Sequence, residues 1–158
     1  MIDLEQLRQF LIEADQEVGY GSGNESAWVK EFDGATVITY QGEEWKYQDK
    51  FYGGEPYSGQ TTVSFNGRVV WTMEYRGLVI PSVENIKEIY TFLQEALSAR
   101  DEEFPIRGPM EYTRDRFVYK NIRQGSVSDF SGEEVIIDRG REIYKAKYMG
   151  GLVDQREE

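Results

Sequence analysis

Residues 40–47 read YQGEEWKY and residues 112–119 read YTRDRFVY, so a pair of tyrosines recurs at a shift of 72 positions (40 to 112). The echo continues downstream, where residues 75–77 (YRG) correspond to residues 148–150 (YMG) at a shift of 73 (75 to 148). Self-similarity at a fixed spacing is the sequence signature of a structural unit that occurs more than once. The sequence therefore predicts one unit present in two copies.

Each copy is predicted to begin with an amphipathic helix. Residues 10–14 (FLIEA) resemble residues 92–96 (FLQEA), and apolar residues recur at helical spacing through both segments, over 4–18 and 83–97. We predict that the second helix begins at Pro81, because proline is favoured at the first helical position. The helices are expected to pack on the strands that follow them.

The segment after each helix changes to a period of two and is rich in β-branched and aromatic residues, which is typical of strands. The predicted strands lie near 35–40, 45–52, 60–65 and 68–76 in the first copy and near 110–113, 116–123, 132–138 and 141–149 in the second. Residues 19–26 (GYGSGNES) are predicted to be a mobile loop, because glycine adds backbone freedom.

Two dipeptides predict tight hairpin turns. Asn66-Gly67 is the strong signal for a two-residue turn with both residues at positive φ, and Arg139-Gly140 occupies the equivalent position. A regular ladder from the first turn pairs Val63 with Val70. The second hairpin is expected to have the same register.

These elements predict an α+β fold of two tandem repeats, each a helix followed by a four-stranded antiparallel meander, related by a pseudo-two-fold axis. The repeats span about 3–80 and 82–153 within a single domain, 1–158. A lone meander with one helix leaves apolar surface uncovered, so the copies are expected to bury it against each other. One continuous sheet and two facing sheets are both compatible with the pattern.

Composition excludes several classes of function. The 158 residues contain no cysteine and no histidine, which excludes disulfides, thiolate or imidazole metal sites and Ser-His-Asp catalysis. The net charge of −11 disfavours direct binding to nucleic acid. We found no targeting segment and no apolar run of membrane-spanning length, and expect a cytoplasmic protein without membrane contact, cofactor or metal.

Aromatic residues alternate along the strands at equivalent positions of both copies. They are Trp45, Tyr47, Trp71, Tyr75, Phe117, Tyr119, Tyr144 and Tyr148. If they line an open face, they form a surface suited to flat ligands or to a partner protein. Aromatic alternation is also what a half-buried strand needs, so a core role is the competing interpretation.

The segment from Asp49 to Tyr57 is the densest local cluster of candidate binding residues. Gly53-Gly54 permits close approach of a ligand to the backbone, and Asp49, Tyr52 and Glu55 can supply polar contacts around it. A bulged strand end would produce the same pattern. The equivalent segment of the second copy, 121–125 (NIRQG), retains one glycine and none of the acids.

The string from Trp45 to Gln60 (WKYQDKFYGGEPYSGQ) resembles the core motif of domain of unknown function 5680, a family of bacteria and archaea. Residues 66–77, Arg107-Gly108-Pro109 and 148–152 resemble its later motifs, so the similarity covers about 4–153. The resemblance implies a domain that stands alone or follows a phage-repressor-type helix-turn-helix. Members often have a histidine near the closing Gly-Gly, a position that is not histidine here.

The leading hypothesis is a non-enzymatic binding module for a small molecule or a protein. Trp71 and Tyr75 would stack on the partner, Asp49, Tyr52 and Glu55 would make polar contacts, and the module could form a homo-oligomer. The first alternative is a carboxylate-dependent hydrolase with Glu55 or Glu74 as general base and Tyr52 as donor. The second is an acidic decoy or inhibitor of a basic protein, which requires acidic side chains gathered on one flank.

Overall fold

The structure is a computed structural model that describes residues 1–156, which form two α-helices, two short 3₁₀ turns and nine β-strands. The helices are α1 (Leu4–Val18) and α2 (Ile86–Ser98), and the 3₁₀ turns are Tyr20–Ser22 and Glu25–Ala27. The strands are β1 (Trp28–Lys30), β2 (Ala35–Gln41), β3 (Trp45–Tyr52), β4 (Tyr57–Phe65), β5 (Arg68–Val79), β6 (Glu111–Arg114), β7 (Phe117–Ser126), β8 (Asp129–Asp138) and β9 (Arg141–Leu152).

All nine strands form one antiparallel sheet in the order β1-β2-β3-β4-β5-β9-β8-β7-β6. The α+β class is therefore confirmed, and the two meanders join edge to edge as a single sheet. Strands β5 and β9 form the junction, where Tyr75 lies directly opposite Tyr148. The last strand of each meander is consequently at the centre of the sheet.

Both helices pack on the same face of the sheet, which we call the helix-covered face, and the opposite face is called the open face. Alternate residues of the central strand β5, including Trp71, Met73 and Tyr75, pack with α1, while Val79 packs with α2. Side chains of a strand alternate between the two faces of a sheet. The core therefore lies between one face of the sheet and the helix pair.

The predicted turns have the expected backbone, with φ of 49° and 80° at Asn66 and Gly67 and of 52° and 80° at Arg139 and Gly140. The predicted pairing beyond the first turn is wrong, because Val63 pairs with Trp71 and not with Val70. A β-bulge makes Val70 an extra residue in its strand, which shifts every later residue of β5 by one position.

The second hairpin contains the same irregularity. Ile136 pairs with Tyr144, so Ile143 is the extra residue, 73 positions after Val70. Both extra side chains are buried, with 7% of Val70 and 4% of Ile143 exposed. Each bulge therefore buries one additional apolar side chain. The sequence of the turn does not indicate this burial.

The start of α2 differs from the prediction. The helix begins at Ile86 and not at Pro81, because the chain stays tied to the sheet after β5. The backbone N–H of Ile80 donates to the carbonyl of Ile143 at 2.9 Å, and that of Val83 donates to the carbonyl of Ile80 at 3.0 Å. These two bonds hold a turn where a helix was expected.

The segment predicted to be a loop, residues 19–26, contains the first 3₁₀ turn and the start of the second, which leads into the unpredicted edge strand β1. Gly21 lies against α2, where a Cβ would meet the backbone nitrogen of Ser98 at 2.8 Å and the carbonyl carbon of Leu97 at 2.9 Å. Only glycine permits this close approach. No helix within residues 1–156 has the length and apolar character needed to cross a lipid bilayer.

Candidate functional site

A cavity of about 560 Å³ lies on the helix-covered face, between the strands of the first half and α2. Strands β1 to β5 contribute one wall, α2 contributes a second through Ile86, Tyr90 and Leu93, and Tyr20 contributes from the first 3₁₀ turn. Ligand pockets in proteins commonly have volumes of about 300–1,000 Å³. The cavity is therefore of a size that admits a small organic molecule.

Aromatic rings make up much of the lining. They are Tyr20, Trp28, Phe51, Tyr57, Tyr75 and Tyr90. The rings of Tyr20, Trp28 and Phe51 form one contact series, with centroid distances of 6.2 and 5.8 Å. A second series is centred on Tyr57, whose ring centroid lies 6.0 Å from that of Tyr75 and 6.1 Å from that of Tyr90. The two series give the cavity broad apolar walls with hydroxyl groups at their ends.

Asp49 supplies a buried carboxylate to this cavity. Its Oδ1 accepts hydrogen bonds from the Tyr75 hydroxyl at 2.6 Å and from the Thr61 hydroxyl at 3.3 Å. No described side chain or backbone group of residues 1–156 donates to its Oδ2. Burial raises the pKa of Asp49 to about 6, although both hydrogen bonds and the charge of Arg107 oppose the rise.

A smaller chamber of about 60 Å³ adjoins the cavity, since Tyr20, Asp49, Tyr75 and Arg107 line both. Asp15 of α1 lines only the chamber, as does Arg100, whose Nε lies 3.8 Å from the Asp15 carboxylate. Burial raises the pKa of Asp15 to about 7, and repulsion from Asp49 acts in the same direction, whereas Arg100 lowers it.

Arg107 fixes the border between the two halves of the molecule. Its Nε donates to Glu134 Oε1 at 2.7 Å, and its Nη2 donates to the Tyr57 hydroxyl at 3.1 Å while lying 2.6 Å from the same Glu134 oxygen. The Glu134 side chain is fully buried, and its other oxygen accepts from Tyr119. Desolvation acts to lower the pKa of Arg107, but the combined attraction of Glu134, Tyr57 and Tyr144 outweighs it and keeps the pKa well above its usual value.

The turn that follows β3 is held in place by Glu55. Its carboxylate accepts from the backbone N–H of Val79 at 2.9 Å and from the hydroxyl of Tyr90 on α2. Gly53 has a φ of 77°, and a Cβ there would meet the carbonyl oxygen of Pro56 at 2.5 Å, so the turn requires glycine. Glu55 therefore ties the cavity wall together through both oxygens.

The structure brings together five of the seven candidate residues from the sequence. Those that line the cavity are Asp49, Gly53, Gly54, Glu55 and Tyr75. Tyr52 points to the open face, and its hydroxyl donates to Asp33 Oδ2 at 3.0 Å. Trp71 is buried in the core, where it stacks on Phe130 at 5.6 Å and donates to the Val127 carbonyl at 2.8 Å. It lines the small chamber but not the cavity.

The repeated aromatic residues lie mainly in the core. Seven of the eight are buried, namely Tyr47, Trp71, Tyr75, Phe117, Tyr119, Tyr144 and Tyr148, and Trp45 is partly buried. The aromatic residues that do line the cavity come mostly from elsewhere in the chain. Tyr20 and Tyr90 belong to positions for which no binding role was predicted, and Trp28 lies on the unpredicted strand.

A model of one protein family, Domain of unknown function (DUF5680), matches residues 49–153. The chain belongs to this family. The matched DUF5680 segment includes Asp49, Glu55, Tyr75 and Arg107, whereas α1 and the cavity residues Tyr20 and Trp28 precede it. No curated protein and no solved structure matches the chain.

Sequence reasoning missed Arg107, which was noted only as part of the Arg107-Gly108-Pro109 motif of DUF5680. It also missed Asp15, because nothing in the pattern of the first helix distinguishes this residue from an ordinary polar helix residue. An available signal was the lone arginine between two prolines in a connector that otherwise carries apolar residues, Phe104-Pro105-Ile106. Within residues 1–156, no three acidic side chains gather closely enough to hold a metal ion.

Proposed function

We propose that this DUF5680 protein is a non-enzymatic module that binds a small organic molecule in the cavity between β1–β5 and α2. The observation that carries the proposal is the combination of aromatic walls with the buried Asp49 carboxylate, one oxygen of which has no donor among residues 1–156. Both protein donors bind Oδ1 and fix the orientation of the carboxylate, so Oδ2 is a natural contact for a ligand. The aromatic rings supply stacking surface for a flat molecule.

We propose further that the domain arose by duplication of a helix-plus-meander unit, with repeats at about 3–80 and 82–153. The bulges at Val70 and Ile143 are separated by the same 73 positions as Tyr75 and Tyr148. The junction supports a pseudo-two-fold axis, because Tyr75 pairs with its own sequence equivalent, Tyr148. In this proposal the cavity belongs to one repeat and borrows α2 from the other.

The two alternatives have weaker support. For the hydrolase, Glu74 is exposed on the open face and accepts from Gln60 at 2.7 Å, while Glu55 is occupied with Val79 and Tyr90. For the acidic decoy, the open face carries charges of both signs, as in the ion pair between Lys147 and Glu133 at 3.6 Å. A protein partner, a homo-oligomer and a cytoplasmic location stay predictions from the sequence.

A thermal-shift screen with a library of flat heterocycles and aromatic amines tests the proposal. Each hit is measured again on Ile86→Trp, which puts a large ring at the cavity wall, and on Val69→Trp as the matched control. The two sites are similarly accessible, with 37% of Ile86 and 39% of Val69 exposed, but only Ile86 lines the cavity.

We expect hits whose stabilisation is lost in Ile86→Trp and retained in Val69→Trp, because ligand binding to the folded state raises the melting temperature. A library without hits contradicts the proposal. So do hits that stabilise both variants equally, since those compounds bind elsewhere.

A further inference from the structure

We infer that the ligand is an uncharged planar heterocycle that presents an N–H donor beside a carbonyl acceptor, the lactam edge found in oxopurines and oxopyrimidines. This inference rests on the proposed function and specifies the ligand class of the same cavity. Three features of the cavity support it: an unengaged acceptor on Asp49, an unengaged donor on Arg107, and aromatic walls.

The acceptor is Oδ2 of Asp49. The Tyr75 and Thr61 hydroxyls both bind Oδ1, so they fix the orientation of the carboxylate without using its second oxygen. The residue is buried, with 8% exposed, and it lines both the cavity and the chamber. A preoriented carboxylate oxygen that faces the cavity is a strong acceptor for a ligand N–H.

The donor is Nη1 of Arg107. The Nε and Nη2 groups bind Glu134 and Tyr57, and no acceptor within residues 1–156 takes a hydrogen bond from Nη1. The guanidinium is planar and its fork is held by Glu134, so the direction of the remaining N–H groups is fixed. Arg107 also lines both the cavity and the chamber, as Asp49 does.

The charges around the cavity favour a neutral ligand over an ion. The lining contains two cationic side chains, Lys30 and Arg107, and two anionic ones, Asp49 and Glu55. Both Glu55 oxygens already accept hydrogen bonds from Val79 and Tyr90, so they are not open to a ligand. A neutral lactam satisfies the two open positions without the desolvation penalty of burying a further charge.

The walls and the volume favour a flat ligand of one or two rings. The ring series of Tyr20, Trp28 and Phe51 and the series around Tyr57 offer extended faces on which a heterocycle can stack. A cavity of about 560 Å³ exceeds a bare bicyclic heterocycle, so it also admits a substituent on the ring.

Titration of ¹⁵N-labelled protein with four probes tests the ligand class. The probes are hypoxanthine, which has the lactam edge, 1-methylhypoxanthine, which lacks its N–H, tryptamine as a cation and tryptophan as a zwitterion. The chain contains three tryptophans, so the spectrum has three indole N–H signals. The Trp28 signal reports on the cavity, and the Trp45 signal is the reference, because Trp45 packs on Phe10 and Phe65 and lines neither the cavity nor the chamber.

We expect hypoxanthine to move the Trp28 signal and to leave that of Trp45 in place, with at least about tenfold weaker binding for 1-methylhypoxanthine. A site built to hydrogen-bond a group discriminates strongly against the analogue that lacks it. Tryptamine and tryptophan are expected to bind at least about tenfold more weakly than hypoxanthine.

Asp49→Asn provides the matching change on the protein. Asparagine can keep the bond from Tyr75 through its oxygen, as Asn121 does for Tyr148 at 2.6 Å, but it turns a donor toward the ligand N–H. We expect at least about tenfold weaker hypoxanthine binding without loss of the folded spectrum. Glu74→Gln removes one carboxylate from the open face and is expected to bind like wild type.

The outcomes separate this inference from the proposed function. If 1-methylhypoxanthine binds as well as hypoxanthine, if tryptamine or tryptophan binds better, or if no probe moves the Trp28 signal, the lactam class is wrong. The proposed function then still depends on the broader screen and on Ile86→Trp. If that screen also yields no compound excluded by Ile86→Trp, the binding module itself is contradicted.

Discussion

The two halves of the sheet differ in what covers the side chains at positions that correspond in sequence. In the first half, Phe51 and Tyr57 line a cavity of about 560 Å³. Their sequence counterparts in the second half, Arg123 and Phe130, are covered by Phe104, whose ring centroid lies 4.4 Å from the Arg123 guanidinium and 6.0 Å from that of Phe130. The connector after α2 thus fills the space that the segment after α1 leaves open.

The buried polar residues Asn121 and Asp49, which correspond in sequence, also differ in how completely they are hydrogen-bonded. The Tyr148 hydroxyl donates to Asn121 Oδ1 at 2.6 Å, and Asn121 Nδ2 donates to the Gly108 carbonyl at 2.9 Å, so both ends of the amide are engaged. The Tyr75 hydroxyl makes the matching bond to Asp49 Oδ1, and Oδ2 of Asp49 has no donor within residues 1–156. The comparison teaches that the same tyrosine bond can be made by a side chain whose polar atoms are all engaged, as in Asn121, or by one with an oxygen left without a protein donor, as in Asp49.

The largest effect is expected at Arg107, which joins the halves. Arg107→Met leaves the fully buried Glu134 without its cation and is expected to lower the free energy of unfolding by about 3–5 kcal/mol. Urea denaturation measures the change. The double variant Arg107→Met/Glu134→Gln should regain part of the loss, and a loss below about 1 kcal/mol in the single variant would mean that Arg107 does not connect the halves.

The second prediction concerns the residue that fills the second half. Phe104→Ala removes a buried ring and is expected to cost about 3 kcal/mol, because a cavity replaces its contacts with Phe130 and Arg123. Phe51→Ala is the matched change in the first half and should cost less, since this ring already borders open space. Equal losses in the two variants would erase the distinction between a filled and an open half.

The third prediction is a pH-dependent gain of stability in Asp49→Asn. The pKa of Asp49 rises from 3.8 to about 6 on folding, so the folded state holds more protons between these values. The wild-type free energy of unfolding therefore falls as pH increases from about 4 to about 6, and the cost persists above that range. At pH 7.5 we expect the variant to be more stable by about 1–3 kcal/mol.

Urea titrations at pH 4.5 and 7.5 check this result, and the advantage should shrink at the lower pH. The reverse exchange, Asn121→Asp, is the control in the filled half. It replaces the bond to the Gly108 carbonyl by oxygen facing oxygen and is expected to destabilise the protein at pH 7.5. If Asp49→Asn is the less stable protein at pH 7.5, burial of the ionised Asp49 carboxylate does not cost the folded state stability.

The smallest effect is expected at Tyr52, which the sequence suggests as a ligand contact. Its side chain lies on the open face with 44% exposed, away from the cavity. Tyr52→Phe should change the free energy of unfolding by less than about 0.5 kcal/mol and leave ligand affinity unchanged. A tenfold loss of affinity would show that binding extends to the open face and that the cavity is not the whole site.

The sequence predicts the architecture well where local chemistry decides it. Asn66-Gly67 and Arg139-Gly140 fix both hairpin turns, because few residues adopt the required positive φ. The bulges at Val70 and Ile143 could not be predicted, since the burial of these two side chains depends on tertiary packing and not on the turn sequence. The edge strand β1 is only three residues long and gives too short a pattern for period-two recognition.

The candidate site is predictable in part for the same reason. The segment 49–55 is conspicuous because it combines acids and glycines with a strand pattern, and five of the seven predicted residues line the cavity. Trp71 has the same alternation as a surface aromatic, and only the three-dimensional packing reveals its place in the core. Tyr20, Tyr90 and Arg107 reach the cavity from distant parts of the chain, so no local pattern identifies them.

Crystals soaked with a library of small heterocyclic fragments offer the most direct test of the central difference between the halves. We expect bound fragments to collect in the first-half cavity, with a ring against Phe51 or Tyr57 and a polar edge at Asp49 and Arg107. The region beneath Phe104 should stay empty of fragments. Fragments that occupy only the open face, or that displace Phe104 as readily as they fill the cavity, would contradict the account.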